Sequence, residues 1–212
     1  MNSHNKNIVC MGEAMVEFTR VEDQKGEALY VRGLGGDTSN CAISAARQGA
    51  DVAYLSSVGN DQFGNVAMDI WSKEGIDVSH ISINQESPTG IYFIEPAPEG
   101  RNFTYYRKGS AASKMTLTND ARALLSGEVI LHLSAISQAI SATAKELSFD
   151  AIDLVKQHGG ILSYDTNLRL NLWGLEEARS VINKTAAQAD ILLPSLDAVS
   201  YTHLTLPTKR IV

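Results

Sequence analysis

Short apolar runs alternate with amphipathic stretches along most of the chain. Ile8-Val-Cys-Met-Gly12 reads as a buried strand, and Met15-Val-Glu-Phe-Thr19 and Leu29-Tyr-Val31 flank a charged turn from Glu22 to Glu27, which predicts a hairpin. A helix is expected over 38–48, then a strand at Val52-Ala-Tyr-Leu-Ser56. The loop from Val58 to Gly64 leads into an amphipathic helix with Val66, Ile70 and Trp71 inward, ended by Gly75.

The pattern then changes to a second hairpin. Thr89-Gly-Ile-Tyr-Phe-Ile-Glu95 and Asn102-Phe-Thr-Tyr-Tyr-Arg-Lys108 are rich in aromatic and β-branched residues and are separated by a Pro/Gly turn. Alternation puts Phe103, Tyr105 and Arg107 on one face of this flap and Thr104, Tyr106 and Lys108 on the other. Strand and helix alternate again afterwards: strand 129–134, helix 142–157, strand 161–165, helix 175–189 and strand 191–193. Repeated βα units predict an α/β fold, a mostly parallel sheet covered by helices on both sides, with a small β-flap added. Ligands of such sheets bind beyond the carboxyl ends of the strands.

Gly33-Leu-Gly-Gly-Asp-Thr-Ser-Asn40 is the most pointed local signal. Its glycines permit a sharp turn close to a ligand, Asp37 or Thr38 can cap the helix that follows, Ala42, Ala45 and Ala46 can pack closely, and Gly49 can end it. The helix start suits a polar or anionic small molecule, and Asn40 can both donate and accept.

Composition narrows the partners. The chain has 212 residues and a net charge of -6, which argues against a nucleic-acid surface or an anionic membrane as the main partner. One or two domains fit this length. Cys10 and Cys41 lack the spacing of a metal site or a disulfide framework, and no apolar run approaches membrane-spanning length, so a cytoplasmic location is expected. His132, inside an apolar strand, reads as packing.

Several motifs together carry a family resemblance. Gly12-Glu13, Gly35-Gly-Asp-Thr-Ser-Asn40, Val58-Gly-x-Asp-x-Phe-Gly64, Gly90-Ile-Tyr92, Tyr105-Tyr-Arg-Lys108, Leu133-Ser-Ala-Ile136 and Asp165-x-Asn-x-Arg169 resemble the PfkB-type (ribokinase-like) carbohydrate kinases over residues 8–200. The chain most resembles the 2-keto-3-deoxygluconate kinases among them. The resemblance implies a ribokinase-like three-layer α/β/α domain with lid strands near 14–33 and 89–108, and phosphoryl transfer from ATP, with Mg²⁺, to a hydroxyl of a sugar or sugar acid. It implies a homodimer through the lid in the intact protein.

By the same resemblance, Gly35, Gly36, Asn40, Tyr92, Tyr105, Arg107, Ile136 and Arg169 would bind the substrate, and Asp165, Asn167 and Ser195 would lie near the nucleotide and its phosphates. Guanidinium groups suit a bidentate grip on a carboxylate, so Arg107 and Arg169 favour a sugar acid. Glu17 stands where many neutral-sugar members carry an Asp, which counts against a plain ribokinase or fructokinase.

The departures matter as much. The family's catalytic base lies in a Gly-Ala-Gly-Asp turn that these residues do not contain, so no catalytic residue is assigned, the native sequence is expected to continue, and the chain itself is expected to be inactive. The family's Asn-x-x-Glu element would begin at Ser195, with Ala198 at its acidic position and Asp197 beside it. Residues 201–212, which include His203, break the amphipathic pattern and read as a non-native tail. The alternatives are a neutral-sugar kinase of fructokinase type, a non-catalytic sugar-binding fragment, and a dinucleotide-binding module. The last is disfavoured because a charged hairpin separates the first strand from the glycines.

Overall fold

The computed structural model describes residues 8–195. Its strands are β1 (Ile8–Met11), β2 (Met15–Glu22), β3 (Ala28–Gly35), β4 (Val52–Gly59), β5 (Ile81–Asn84), β6 (Ile91–Ala97), β7 (Gly100–Tyr106), β8 (Ile130–Ser134), β9 (Ile161–Asp165) and β10 (Ile191–Leu193). Its α-helices are α1 (Asp37–Arg47), α2 (Gln62–Lys73), α3 (Asn119–Leu125), α4 (Ala135–Ala139), α5 (Ala142–Gln157) and α6 (Leu175–Ala186).

A six-stranded sheet in the order β10-β9-β8-β1-β4-β5 forms the body, and every pairing in it is parallel. Alternation along the strands splits the core in two. Val9, Met11, Leu131, Leu133, Leu162 and Tyr164 face the layer built by α3, α5 and α6, where Leu125, Ile152 and Ile182 are fully buried. On the other face one row runs across the strands through Tyr54, Cys10, His132, Ser163 and Ile191. Tyr54 and Cys10 there are covered by Ala42 of α1 and by Ala67 and Trp71 of α2. Burial on both faces is why these strands read as nearly unbroken apolar runs. Farther along the second face, Ile161, Ile191 and Leu193 are 40%, 42% and 49% exposed, so β9 and β10 present apolar surface among the described residues.

The lid is a single four-stranded sheet in the order β3-β2-β6-β7. The two hairpins anticipated from the sequence join through a parallel pairing of β2 with β6. Phe18 of β2 meets Phe63 of α2 edge to face at 5.8 Å, which fastens the lid to the body.

Several expectations need correction. On α2 Trp71 is buried as expected, but the rest of the buried stripe is Gly64 and Ala67, and Val66 and Ile70 are half-buried. Helix α6 ends at Ala186 and not at 189. Strand β5 and helices α3 and α4 are additional, each too short to show a periodic signal. The proposed 201–212 tail and the Asp197 and Ala198 positions lie outside the described residues.

Candidate active site

The turn into α1 is pressed against the end of β1. Gly36 is the N-cap, with φ 132 and no side-chain capping bond, and a Cβ there would lie 2.6 Å from the carbonyl oxygen of Glu13. The capping role expected of Asp37 or Thr38 is therefore corrected: Asp37 is already the first helical residue. Its Oδ1 accepts from the Thr38 amide at 2.8 Å, while Oδ2 accepts from the Ser134 hydroxyl and, at 3.2 Å, from Asn167 Nδ2. One carboxylate thus ties α1 to the carboxyl ends of β8 and β9, the edge where ligands of parallel sheets sit.

Glu13 lies two residues past the end of β1 and is 3% exposed. The Arg107 guanidinium pairs with one of its oxygens and the Ser110 hydroxyl donates to the other. Burial pushes its carboxyl above the usual range and Asp37 adds to this; Arg107 and Ser110 oppose the shift without cancelling it. Arg107 lies just past the end of β7, and its Nε is buried without a hydrogen-bond partner, so the guanidinium keeps unused donor capacity.

The lid supplies an aromatic wall. Strand register sets Gly33, Glu17, Tyr92 and Tyr105 side by side on its inner face. Tyr92 stacks on Tyr105 with ring centroids 5.5 Å apart and on Phe103 at 6.4 Å. Its hydroxyl donates to Glu17 Oε2, and the Thr19 hydroxyl donates to Oε1 at 2.7 Å. Gly35 makes this possible, since a Cβ there would come within 2.0 Å of the Tyr92 hydroxyl. Burial and then Glu17 raise the Tyr92 pKa, so the phenol stays a neutral donor.

Lid and body enclose a cleft of about 410 Å³ lined by Glu13, Met15, Gly36, Asp37, Asn40, Tyr92, Phe103, Tyr105, Arg107, Ile136, Asn167, Arg169, Asn171 and Leu172. The structure therefore brings together every residue picked from the sequence for the substrate except Gly35, which lies behind the Tyr92 ring. Of the three picked for the nucleotide region, Asn167 lines this cleft, and Asp165 and Ser195 stand at the ends of β9 and β10. Burial and Asp37 raise the Asp165 carboxyl above its usual range, against the Asn167 amide, His132 and Arg169. Sequence reasoning assigned no role to Glu13, Met15, Asn171 or Leu172. An acid two residues past a buried strand, after a glycine, was the available signal for Glu13.

Magnesium finds no ready-made centre here: among the described residues no group of three or more His, Cys, Asp or Glu is placed to hold a metal ion. Asp165 and Asn167 could meet the ion only as part of a phosphate-bound shell.

A lid-covered cleft at the carboxyl edge of a parallel α/β sheet, with arginines, amides and an aromatic wall, is suited to a polar small molecule. Residues 5–200 match the family described as pfkB family carbohydrate kinase, and the chain belongs to that family. It is 35% identical over 196 residues to a 2-dehydro-3-deoxygluconokinase of Bacillus subtilis (strain 168), covering 90% of this chain and 60% of that protein. A PfkB protein from Polaromonas sp. JS666 superposes with a TM-score of 0.86 at 32% identity, covering 95% of this chain and 69% of that one. A fructokinase with bound ATP from Xylella fastidiosa superposes with a TM-score of 0.83 at 25% identity, covering 93% and 64%. The chain thus spans about 60% of the length of the Bacillus relative. No described helix is long and apolar enough to cross a membrane.

Proposed function

We propose that the intact protein is a cytoplasmic sugar-acid kinase that phosphorylates 2-keto-3-deoxygluconate on its 6-hydroxyl, with ATP as donor and Mg²⁺ on the phosphates. The observation that carries this reading is the convergence of Arg107 and Arg169 on one cleft with Asn40 and the Tyr92–Tyr105 wall. Arg169, exposed at the mouth, and the free donors of Arg107 suit a carboxylate. Asn40 suits hydroxyls, and the stacked tyrosines exclude water from one side of the sugar.

Phosphoryl transfer rests mainly on positioning and charge stabilisation. The residues present supply the positioning. The Gly-x-Gly-Asp turn that would supply the base and the anion hole is not among these 212 residues, so this chain is proposed to bind substrate without turnover. Similarity of the named kinases to this chain supports the same reading.

One observation favours the neutral-sugar alternative: Glu13 already offsets the charge of Arg107, and fructokinases are also similar to the chain. Titration calorimetry of the chain with 2-keto-3-deoxygluconate and with fructose separates the two. Preference for the acid that falls at least tenfold in Arg169→Ala supports the proposal; equal or stronger binding of fructose overturns it. Measured turnover with ATP above a no-enzyme control would overturn the proposed inactivity. The exposed Leu29, Tyr30, Val31 and Tyr106 support pairing of two lids in the intact protein, testable by sedimentation.

A further inference from the structure

Once a sugar acid is bound, two carboxylates contend for the Arg107 guanidinium. Glu13 and Arg107 both line the cleft, and both are largely buried. Nη2 of Arg107 pairs with Oε2 of Glu13, yet neither of these atoms, nor Arg107 Nε, has a hydrogen-bond partner. The pair is thus held by charge, and its donors are left for a ligand to claim. Oε1 of Glu13 accepts from the Ser110 hydroxyl, a group that can equally accept from a neutral carboxyl. Resting on the sugar-acid reading above, we propose that Glu13 is a proton-coupled specificity residue of this site: it takes up a proton when a ligand carboxylate engages Arg107.

The charges around Glu13 support this role. Arg107 faces it from just beyond β7 and Asp37 faces it from α1. Tyr54 of β4 is a phenol that burial keeps neutral, and Met15 of β2 and Gly90 ahead of β6 bring no charge. Arg169 is exposed and stands at the mouth of the cleft. A ligand carboxylate brought to Arg107 therefore adds a second negative charge beside a carboxylate that is almost fully removed from water. Two such groups in a poorly solvated site do not both keep their charge, and the deeper one takes the proton. Burial already pushes the Glu13 carboxyl up against the opposing pull of Arg107 and Ser110, which favours that outcome. The proton passes from water or buffer to Oε2, the oxygen that Arg107 releases. A neutral sugar brings no charge and draws no proton, so the site reads the charge of its ligand through Glu13 as well as through the arginines.

The test is titration calorimetry of the purified chain with 2-keto-3-deoxygluconate and with fructose, over roughly pH 6–9 and in paired buffers of different ionisation enthalpy. Binding of the acid is expected to take up about one proton toward the alkaline end, with Kd rising by about tenfold per pH unit there, while fructose binding takes up none. Glu13→Gln is expected to bind the acid without proton uptake and with a flat pH profile, and Glu13→Asp to restore the uptake. Asp37→Asn, which removes the other facing carboxylate, is expected to keep it. Acid bound with no proton uptake across the range, uptake surviving in Glu13→Gln, or uptake lost in Asp37→Asn would each overturn the proposal and leave the sugar-acid reading standing. Fructose bound more tightly than the acid overturns that reading, and the proposal then stands or falls on whether the acid that does bind brings a proton. A folded sample that binds no acid at any pH overturns both. The wild-type and Asp37→Asn titrations keep the test decisive even where Glu13→Gln does not fold.

Discussion

Arg107, at the end of the lid, closes on Glu13, at the end of the first strand of the body. This pair is the point where the two sheets are locked across the cleft, and both partners are largely buried, with side chains 13% and 1% exposed. Removing one partner of such a pair leaves the other charge stranded in a poorly solvated site. Arg107→Ala is therefore expected to lower stability by about 3 kcal/mol or more near neutral pH.

The pH dependence of that loss follows from Glu13. Its carboxyl is raised in the folded state, so the folded chain binds this proton more tightly than the unfolded chain, and the contribution to stability is full below the ordinary glutamate value and lost as pH rises through the raised one. Without Arg107 the carboxyl rises further, and acid can neutralise it. Urea unfolding of wild type and Arg107→Ala should show a smaller difference at acid than at neutral pH. An equal difference at both would mean that stranded charge is not the cause.

Asp61 shows the opposite sign. Its carboxylate caps α2 through the Phe63 and Gly64 amides at 3.0 Å and 2.8 Å and holds the Thr89 amide at 2.8 Å. Burial opposes its charge, yet these amides and the Thr89 hydroxyl outweigh burial and hold the group below its usual range. Its contribution is present above the ordinary aspartate value and lost as pH falls through the depressed one. Asp61→Ala is expected to cost about 1–2 kcal/mol near neutral pH, with the gap from wild type narrowing in acid. Thermal melts over a pH series check this.

The two adjacent glycines separate binding from folding. Gly35→Ala drives a methyl into the Tyr92 hydroxyl, so the ring must leave Glu17. Weaker sugar-acid binding with nearly unchanged secondary structure is expected, by titration calorimetry and circular dichroism. Gly36→Ala meets backbone, the Glu13 carbonyl, at a φ of 132 that side chains rarely adopt. It should lower the urea midpoint, with a cost of about 1–3 kcal/mol. Were Gly33→Ala, whose Cβ meets only Glu17 at 3.7 Å, as damaging to binding as Gly35→Ala, the Tyr92 contact would not be what matters.

The apolar surface on β9 and β10 predicts the solution behaviour of the chain. Ile161, Ile191 and Leu193 share one face and are exposed, which favours self-association. Replacing all three with Thr should shift sedimentation toward monomer. A monodisperse wild-type sample would show that this face is harmless.

Much of the site was legible because its residues sit in local patterns. Asn40 follows a glycine turn, Tyr105 and Arg107 share one face of a flap strand, and Arg169 follows a strand end, and the family resemblance is what assigned them to one ligand. What stayed hidden depends on partners far away in sequence. Asp37 looked like a cap because a short acid before a helix usually is one, but Gly36 takes that position and Asp37 bridges to Ser134 and Asn167. Glu17 stood out in the sequence only as an acid where neutral-sugar members carry an Asp; that its carboxylate accepts from the Tyr92 and Thr19 hydroxyls depends on strand pairing across the lid.

The alternation of apolar runs and amphipathic stretches determined by itself the α/β class and the two hairpins, because backbone periodicity and turn chemistry are local properties of the chain; the family came from the resemblance of its motifs. Tertiary structure decided which charges neutralise one another. Arg107 meets Glu13, and Asp37 meets Ser134 and Asn167, only once the sheet is ordered β10-β9-β8-β1-β4-β5 and the lid folds over its edge. Charge pairing is set by separation and by lost solvent, and neither exists along an unfolded sequence.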